Sequence, residues 1–184
     1  MARRQGVPVW AVVAVPVLVF VAFLMVLPLF SRERGSHINA CLSNVKNISL
    51  SLQMYVVDNN DHFPPARDWC DVLDEYVKNR DVFRCPQAQG KSGWDYAYNS
   101  LLSSRSMYDL VDPSGTVAIF ESDAGRNASG DRKLLPAVPR HLGGDSYGFA
   151  DGDAARVKRK AWGTDKRGNP NWLREPERPL RWQP

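Results

Sequence analysis

The chain has 184 residues, of which 43% are hydrophobic, with 24 basic side chains against 20 acidic ones and three cysteines. That length allows one folded domain beside an apolar start and a tail. The net charge of +4 sits at the ends: residues 1–30 hold two arginines and no acid, residues 31–157 sum to −3 and residues 158–184 to +5. A basic pI near 9.1 therefore says nothing in favour of a nucleic-acid-binding fold.

Taken in chain order, the first six residues are a short basic leader, Met-Ala-Arg-Arg-Gln-Gly. The run Val7–Phe30 carries no charge and has the length, ~20 residues or more, that a bilayer-spanning helix needs. Its three prolines, Pro8, Pro16 and Pro28, are of a kind that such helices tolerate. The sequence thus predicts a transmembrane helix over 7–30. From Ile38 the apolar residues Cys41, Leu42, Val45, Ile48, Leu52, Tyr55 and Val56 recur at steps of three and four, one face of an amphipathic helix. No proline interrupts this segment before Pro64-Pro65, so one helix is expected to run from the apolar start into the core of a soluble domain.

A turn follows at Asp58–Pro65, then a second helix from Trp69 to about Lys78, with Asp68 as its cap and Trp69, Val72, Leu73, Tyr76 and Val77 on one face. Gln87–Gly93 reads as a polar loop and Tyr96–Asn99 as a short extended piece. Asp112–Gly115 is a turn by composition and leads into the strand run Thr116–Glu121. Ser122–Asp131 is a loop of small polar residues. Ser146–Ala150 and Asp153–Lys158 flank Asp151-Gly152, the dipeptide of a type I′ hairpin. The remainder, 159–184, shows no helical or strand period and is expected as a flexible or draped extension. Its Trp162, Trp172 and Trp182 stand ten apart among arginines and prolines. As a contact arm they would meet anionic lipid, polysaccharide or single-stranded nucleic acid by charge and stacking.

The three cysteines, Cys41, Cys70 and Cys85, allow three single bridges with one thiol left over. Cys41 lies on the apolar helix face and Cys85 in Phe-Arg-Cys-Pro, which favours that pair; Cys70–Cys85 is the alternative. Glu121, Asp123, His141, Asp151 and Asp153 are candidate metal ligands at the sheet edge, and an oxygen-rich set of this kind suits calcium. A nucleophile elbow, a P-loop, a paired-cysteine zinc spacing and a glutamate-rich acid pair are all absent from the sequence. No catalytic residue is assigned, and the chain is read as a non-enzyme.

Arg140-His141-Leu142-Gly143-Gly144 through Gly148-Phe149-Ala150-Asp151-Gly152 places nine residues between His141 and Asp151-Gly152. This spacing resembles the H-x9-DG domain of pseudopilin-like proteins of planctomycete-type bacteria. Cys41–Asn47, Leu52–Tyr55, Phe63-Pro64, Trp69 with Leu73 and Tyr76, Cys85-Pro86 and Tyr98-Asn99 fall in the order of that family, so the resemblance covers about Ser31 to Lys158. It implies a non-enzymatic subunit of a type II secretion or type IV pilus-like assembly. The fold implied is α+β and pilin-like, a long N-terminal transmembrane-to-soluble helix packed on a small antiparallel sheet. The implied organisation is 1–6 leader, 7–30 transmembrane helix, 31–158 soluble domain and 159–184 tail. The implied partners are other pilin-like subunits, met through the N-terminal helix, and the membrane. The implied location is the inner membrane, single-pass, with the domain outside the cytoplasm. Prepilin-type processing would fall between Gly6 and Val7. Ala11 stands where that family's processed subunits carry glutamate, and Asp153 where the domain often has histidine. A stand-alone anchored binding domain is the alternative function.

Overall fold

The computed structural model describes residues 9–88, 93–164, 170–176 and 179–183. The chain divides at His37/Ile38 into two compact units. Helix α1 spans Val9–Asp58. Its part before His37 belongs to the first unit, where Val15 through Val26 leave every large apolar side chain exposed. Its part from Ile38 onward belongs to the second unit, and there the spacing has its effect. Cys41, Val45, Ile48, Leu52 and Val56 follow one another by three or four residues and are all at most 2% exposed, as one face of a helix against a core must be. The helix stops where Asn60 and Asp61 turn left-handed, with φ of 54° and 59°. The Asp61 amide returns to the Val56 carbonyl at 2.9 Å, which satisfies an end carbonyl.

Helix α2, Trp69–Leu73, has five residues rather than the ten expected to Lys78. Asp68 makes no side-chain cap. The Cys70 amide donates instead to the Asn127 side chain at 2.8 Å, so a partner distant in sequence replaces the local cap. Trp69 stacks on Tyr98 with ring centroids 5.9 Å apart and meets Phe83 edge-on at the same separation, which fixes α2 against the sheet.

The strands are β1 (Tyr96–Asn99), β2 (Val117–Glu121), β3 (Ser129–Gly130), β4 (Gly144–Phe149), β5 (Ala154–Thr164) and β6 (Pro170–Pro176). They form one sheet in the order β3-β1-β2-β4-β5-β6. Strand alternation divides their side chains between two faces. Tyr96, Tyr98, Ile119 and Ala150 join the core beneath α1. Ala97, Val117, Phe120, Tyr147, Phe149 and Val157 form a second core on the other face. A register shift between Val117 and Ile119 turns both Ala118 and Ile119 toward α1. At Gly148 and Gly152 the missing side chains let α1 lie close on the sheet.

Two expectations are corrected here. The first is the pilin-like fold, with a transmembrane-to-soluble helix on a small antiparallel sheet. The sheet has six strands and is mixed, because β3 runs parallel to its neighbour β1 through Tyr98↔Ser129 and Asn99↔Gly130. The second is the single-pass placement in the inner membrane. Among the described residues no helix is long and apolar enough to cross a membrane.

The segment after Lys158 also differs from a draped extension. Strand β5 continues to Thr164 and pairs with β6. Thr116 then bridges Arg181 in parallel, and the Val117 amide donates to the Arg181 carbonyl at 2.8 Å. Trp182 packs edge-on against Phe120, centroids 5.0 Å apart, and covers the second core. The side chains of Trp162 and Trp172 lie outside the described residues.

Candidate functional site

Four buried side chains from four parts of the fold meet under α1. Cys41 comes from the buried face of the helix. Cys85 follows a single 3-10 turn, Arg80–Phe83, and its amide is held by the Asp95 carboxylate at 2.9 Å. Glu121 ends β2 on the same face as Ile119, and its strand partner Tyr96 reaches the Cys41 carbonyl through its hydroxyl at 3.4 Å. His141 enters from a two-residue turn. Leu142 and Gly143 both have positive φ, 50° and 81°, and His141 and Gly144 exchange two backbone hydrogen bonds of 3.1 and 3.0 Å. This is the backbone of a type I′ hairpin, and it turns the imidazole inward.

Cys41 and Cys85 form a disulfide with Cα atoms 5.1 Å apart. His141 Nε2 lies 3.6 Å from Cys85 Sγ and 2.8 Å from Glu121 Oε1. The Ser146 amide donates to the same Glu121 oxygen at 3.0 Å. None of the four side chains is more than 4% exposed. Two of their polar atoms, Glu121 Oε2 and His141 Nδ1, have no hydrogen-bond partner although they are buried. Native interiors rarely leave such atoms unpaired.

Charged groups ring the cluster. The Arg140 guanidinium donates to the carbonyls of Asp95 and Ser122 at 3.0 and 2.9 Å and pairs with Asp123. Arg159 and Asp145 form an ion pair of 2.6 Å, both fully buried, and Arg159 also donates to the Pro136 carbonyl at 2.8 Å. Burial, with the like charge of Glu121 added, pushes the Asp145 carboxyl up to about 7 against the pull of Arg159. Burial also raises Asp95, opposed by the Cys85 amide and Arg140. An open cleft of about 560 Å³ lies alongside. Its lining includes Gln87, Asp123 and Arg140, each within two residues of a member of the cluster.

The expected ligands separate into two places. Glu121 and His141 come together in the cluster, while Asp123 faces Arg140. Asp151 and Asp153 stand at the β4–β5 turn, where Asp151 accepts from the Asp153 amide at 2.9 Å and Asp153 pairs with Lys46 at 3.0 Å. Among the described residues, the one group of three or more acidic, cysteine or histidine side chains placed to hold an ion is Cys41, Cys85 and His141. The β4–β5 turn has positive φ at Gly152 alone, 87°, so it is not of type I′, which needs it at two residues. A Cβ on Gly152 would stand 2.8 Å from Gln53 Cγ of α1, and Gln53 donates to the Ala150 carbonyl. Asp151-Gly152 thus seats the hairpin on the helix. Cys70 is buried without a bridge, and burial pushes its thiol up to about 12, which removes it from thiolate chemistry at neutral pH. Gly6 and Val7 lie outside the described residues.

The sequence puts Glu121 and His141 in a set of metal ligands and the cysteines in a disulfide, without linking the two. The signal that would have joined them is the glutamate itself, on the buried face of an apolar strand with Ile119. Compared with known proteins, the chain matches no family model, no curated protein and no solved structure.

Proposed function

We propose that this protein is a non-enzymatic structural subunit of a secretion or pilus-like assembly, joined to its neighbours through the first part of α1. The observation that carries this reading is the uncovered apolar helix. Val15, Leu18, Phe20, Phe23 and Met25 are 57, 68, 62, 58 and 72% exposed, and no charged residue lies among them. A helix that is apolar all round is stable in water when another surface covers it. Helices of like subunits offer such a cover. The H-x9-DG resemblance supports the same class of function. So does a second unit whose Asp151-Gly152 pair is used for packing on α1.

The test is cysteine crosslinking of the full chain in cells, with single cysteines placed in turn from Val15 to Leu24 in a Cys70→Ser background. Crosslinks to like subunits that recur every three or four positions are the expected result. A crosslink-free chain that sediments as a monomer would overturn the proposal in favour of a stand-alone binding domain.

A further inference from the structure

We infer that Cys41, Cys85, His141 and Glu121 are a redox-gated zinc site, closed by the disulfide when oxidised and able to take one Zn(II) when reduced. The donor atoms of Cys41, Cys85 and His141 lie within 4.8 Å of one another. Tetrahedral zinc, with Zn–S ~2.3 Å and Zn–N ~2.0–2.1 Å, sets sulfur and nitrogen about 3.6 Å apart. Cys85 Sγ and His141 Nε2 stand 3.6 Å apart. Glu121 brings the fourth donor. Its Oε1 already touches Nε2 at 2.8 Å, and its Oε2 has no other partner. Two sulfurs and an imidazole select a borderline ion such as zinc over calcium, which takes oxygen ligands.

The surroundings suit a held ion. The Asp95 carboxylate fixes the Cys85 backbone, the Ser146 amide orients Glu121, and the Leu142-Gly143 turn holds His141. Outer contacts of this kind hold ligands in place around a metal. The two states interconvert by a balanced exchange. A dithiol reductant gives two electrons and two protons to the Cys41–Cys85 bond and leaves as its own cyclic disulfide. Zn(II) then displaces the two thiol protons and forms two Zn–S bonds. The proton shared by Nε2 and Glu121 Oε1 passes to His141 Nδ1, which frees Nε2 and a Glu121 oxygen to complete the tetrahedron. An oxidant of the disulfide class reverses the first step and releases the ion.

The experiment uses the full chain and Co(II) as the optical probe for Zn(II). After phosphine reduction, one equivalent of cobalt is expected to bind, with a thiolate charge-transfer band and the visible bands of a tetrahedral ion. Zinc should bleach them, and the oxidised chain should show neither. Cys85→Ser should abolish the thiolate band, His141→Gln and Glu121→Gln should weaken binding at least tenfold, and Cys70→Ser should leave it unchanged. If the reduced chain unfolds, zinc should restore its near-UV circular dichroism. A reduced chain that takes up no cobalt, or an unfolded one that zinc does not restore, overturns the inference. So does a cobalt site that survives Cys85→Ser.

Discussion

Gly148 of β4 passes directly beneath Ser49 of α1, so closely that a Cβ on the glycine would collide with the Ser49 hydroxyl and stand 3.1 Å from Val45 Cγ1. The sheet can approach the helix there because β4 presents no side chain. Gly148→Ala is expected to destabilise the fold by about 1–3 kcal/mol through overpacking, read as a lowered urea midpoint. The Ser49 hydroxyl is buried without a hydrogen-bond partner, so Ser49→Ala alone should be close to neutral. Combined with Gly148→Ala it should recover part of the loss. A strictly additive pair would show that the two residues are not in contact.

Leu52 and Met54 lie two residues apart on α1 and face opposite environments, one fully buried and the other 55% exposed. Leu52→Ala should cost about 2–5 kcal/mol from the cavity it leaves. Leu52→Asp should prevent folding, because an unpaired charge would enter the core. Met54→Asp should change stability by no more than about 0.5 kcal/mol. Denaturation curves of the three variants check the assignment of faces, and equal losses at Leu52→Asp and Met54→Asp would refute it.

Asp145 gives stability a pH dependence of unusual sign for a carboxylate. Its folded-state pKa of about 7 stands above the ordinary aspartate value of 3.8, so the native state keeps the proton to higher pH than the unfolded chain does. This contribution is full at low pH and declines as pH rises from about 4 toward about 7. Asp95 is shifted in the same direction. Glu121, His141, Arg140 and Arg159 all act on Asp145, Glu121 against its charge and the other three in favour of it. Urea midpoints across this range should fall less steeply with pH in Asp145→Asn than in the parent. Parallel curves would place the Asp145 titration elsewhere.

Trp182 meets Phe120 and Tyr147 edge-on, with centroids 5.0 and 6.3 Å apart, and its carbonyl accepts from the Asn99 side chain at 2.9 Å. Trp182→Ala should cost about 2–3 kcal/mol, less than the ~3–5 kcal/mol of a fully buried large aromatic because the ring is half-buried. Calorimetry of the variant gives the answer. An unchanged midpoint would mean that the second core is closed by other residues.

Local pattern carried the parts of the fold that local physics decides. The stripe Cys41–Val56 and the run Thr116–Glu121 announce their elements, because apolar spacing and β-branched composition act within a few residues. The β5–β6 ribbon was not legible. Register shifts at Arg159/Ala161 and Ala161/Thr164 break the period of two, and Arg159 reads as a surface charge until Asp145 is seen beside it. Strand β3 has two residues and exists through its partner β1. Helix α2 starts on a partner more than fifty residues away in sequence, the Asn127 side chain that takes the Cys70 amide, and it ends in a turn where the Tyr76 and Val77 amides both return to the Leu73 carbonyl. The convergence of two cysteines, His141 and Glu121 has the same character: each residue is ordinary in its own segment, and their meeting is a property of the sheet order.

The bridge between Thr116 and Arg181 also sets an order of events during synthesis. Domains fold as they leave the ribosome, at about 5–20 residues per second. Cys41 and Cys85, 44 apart in sequence, have both emerged before β4 exists. The helix side of the domain can therefore begin to assemble while Phe120 on the other face is still uncovered. That face waits for residues 180–182, about sixty positions later. During that interval the nascent protein displays an unshielded aromatic surface to whatever chaperone attends it.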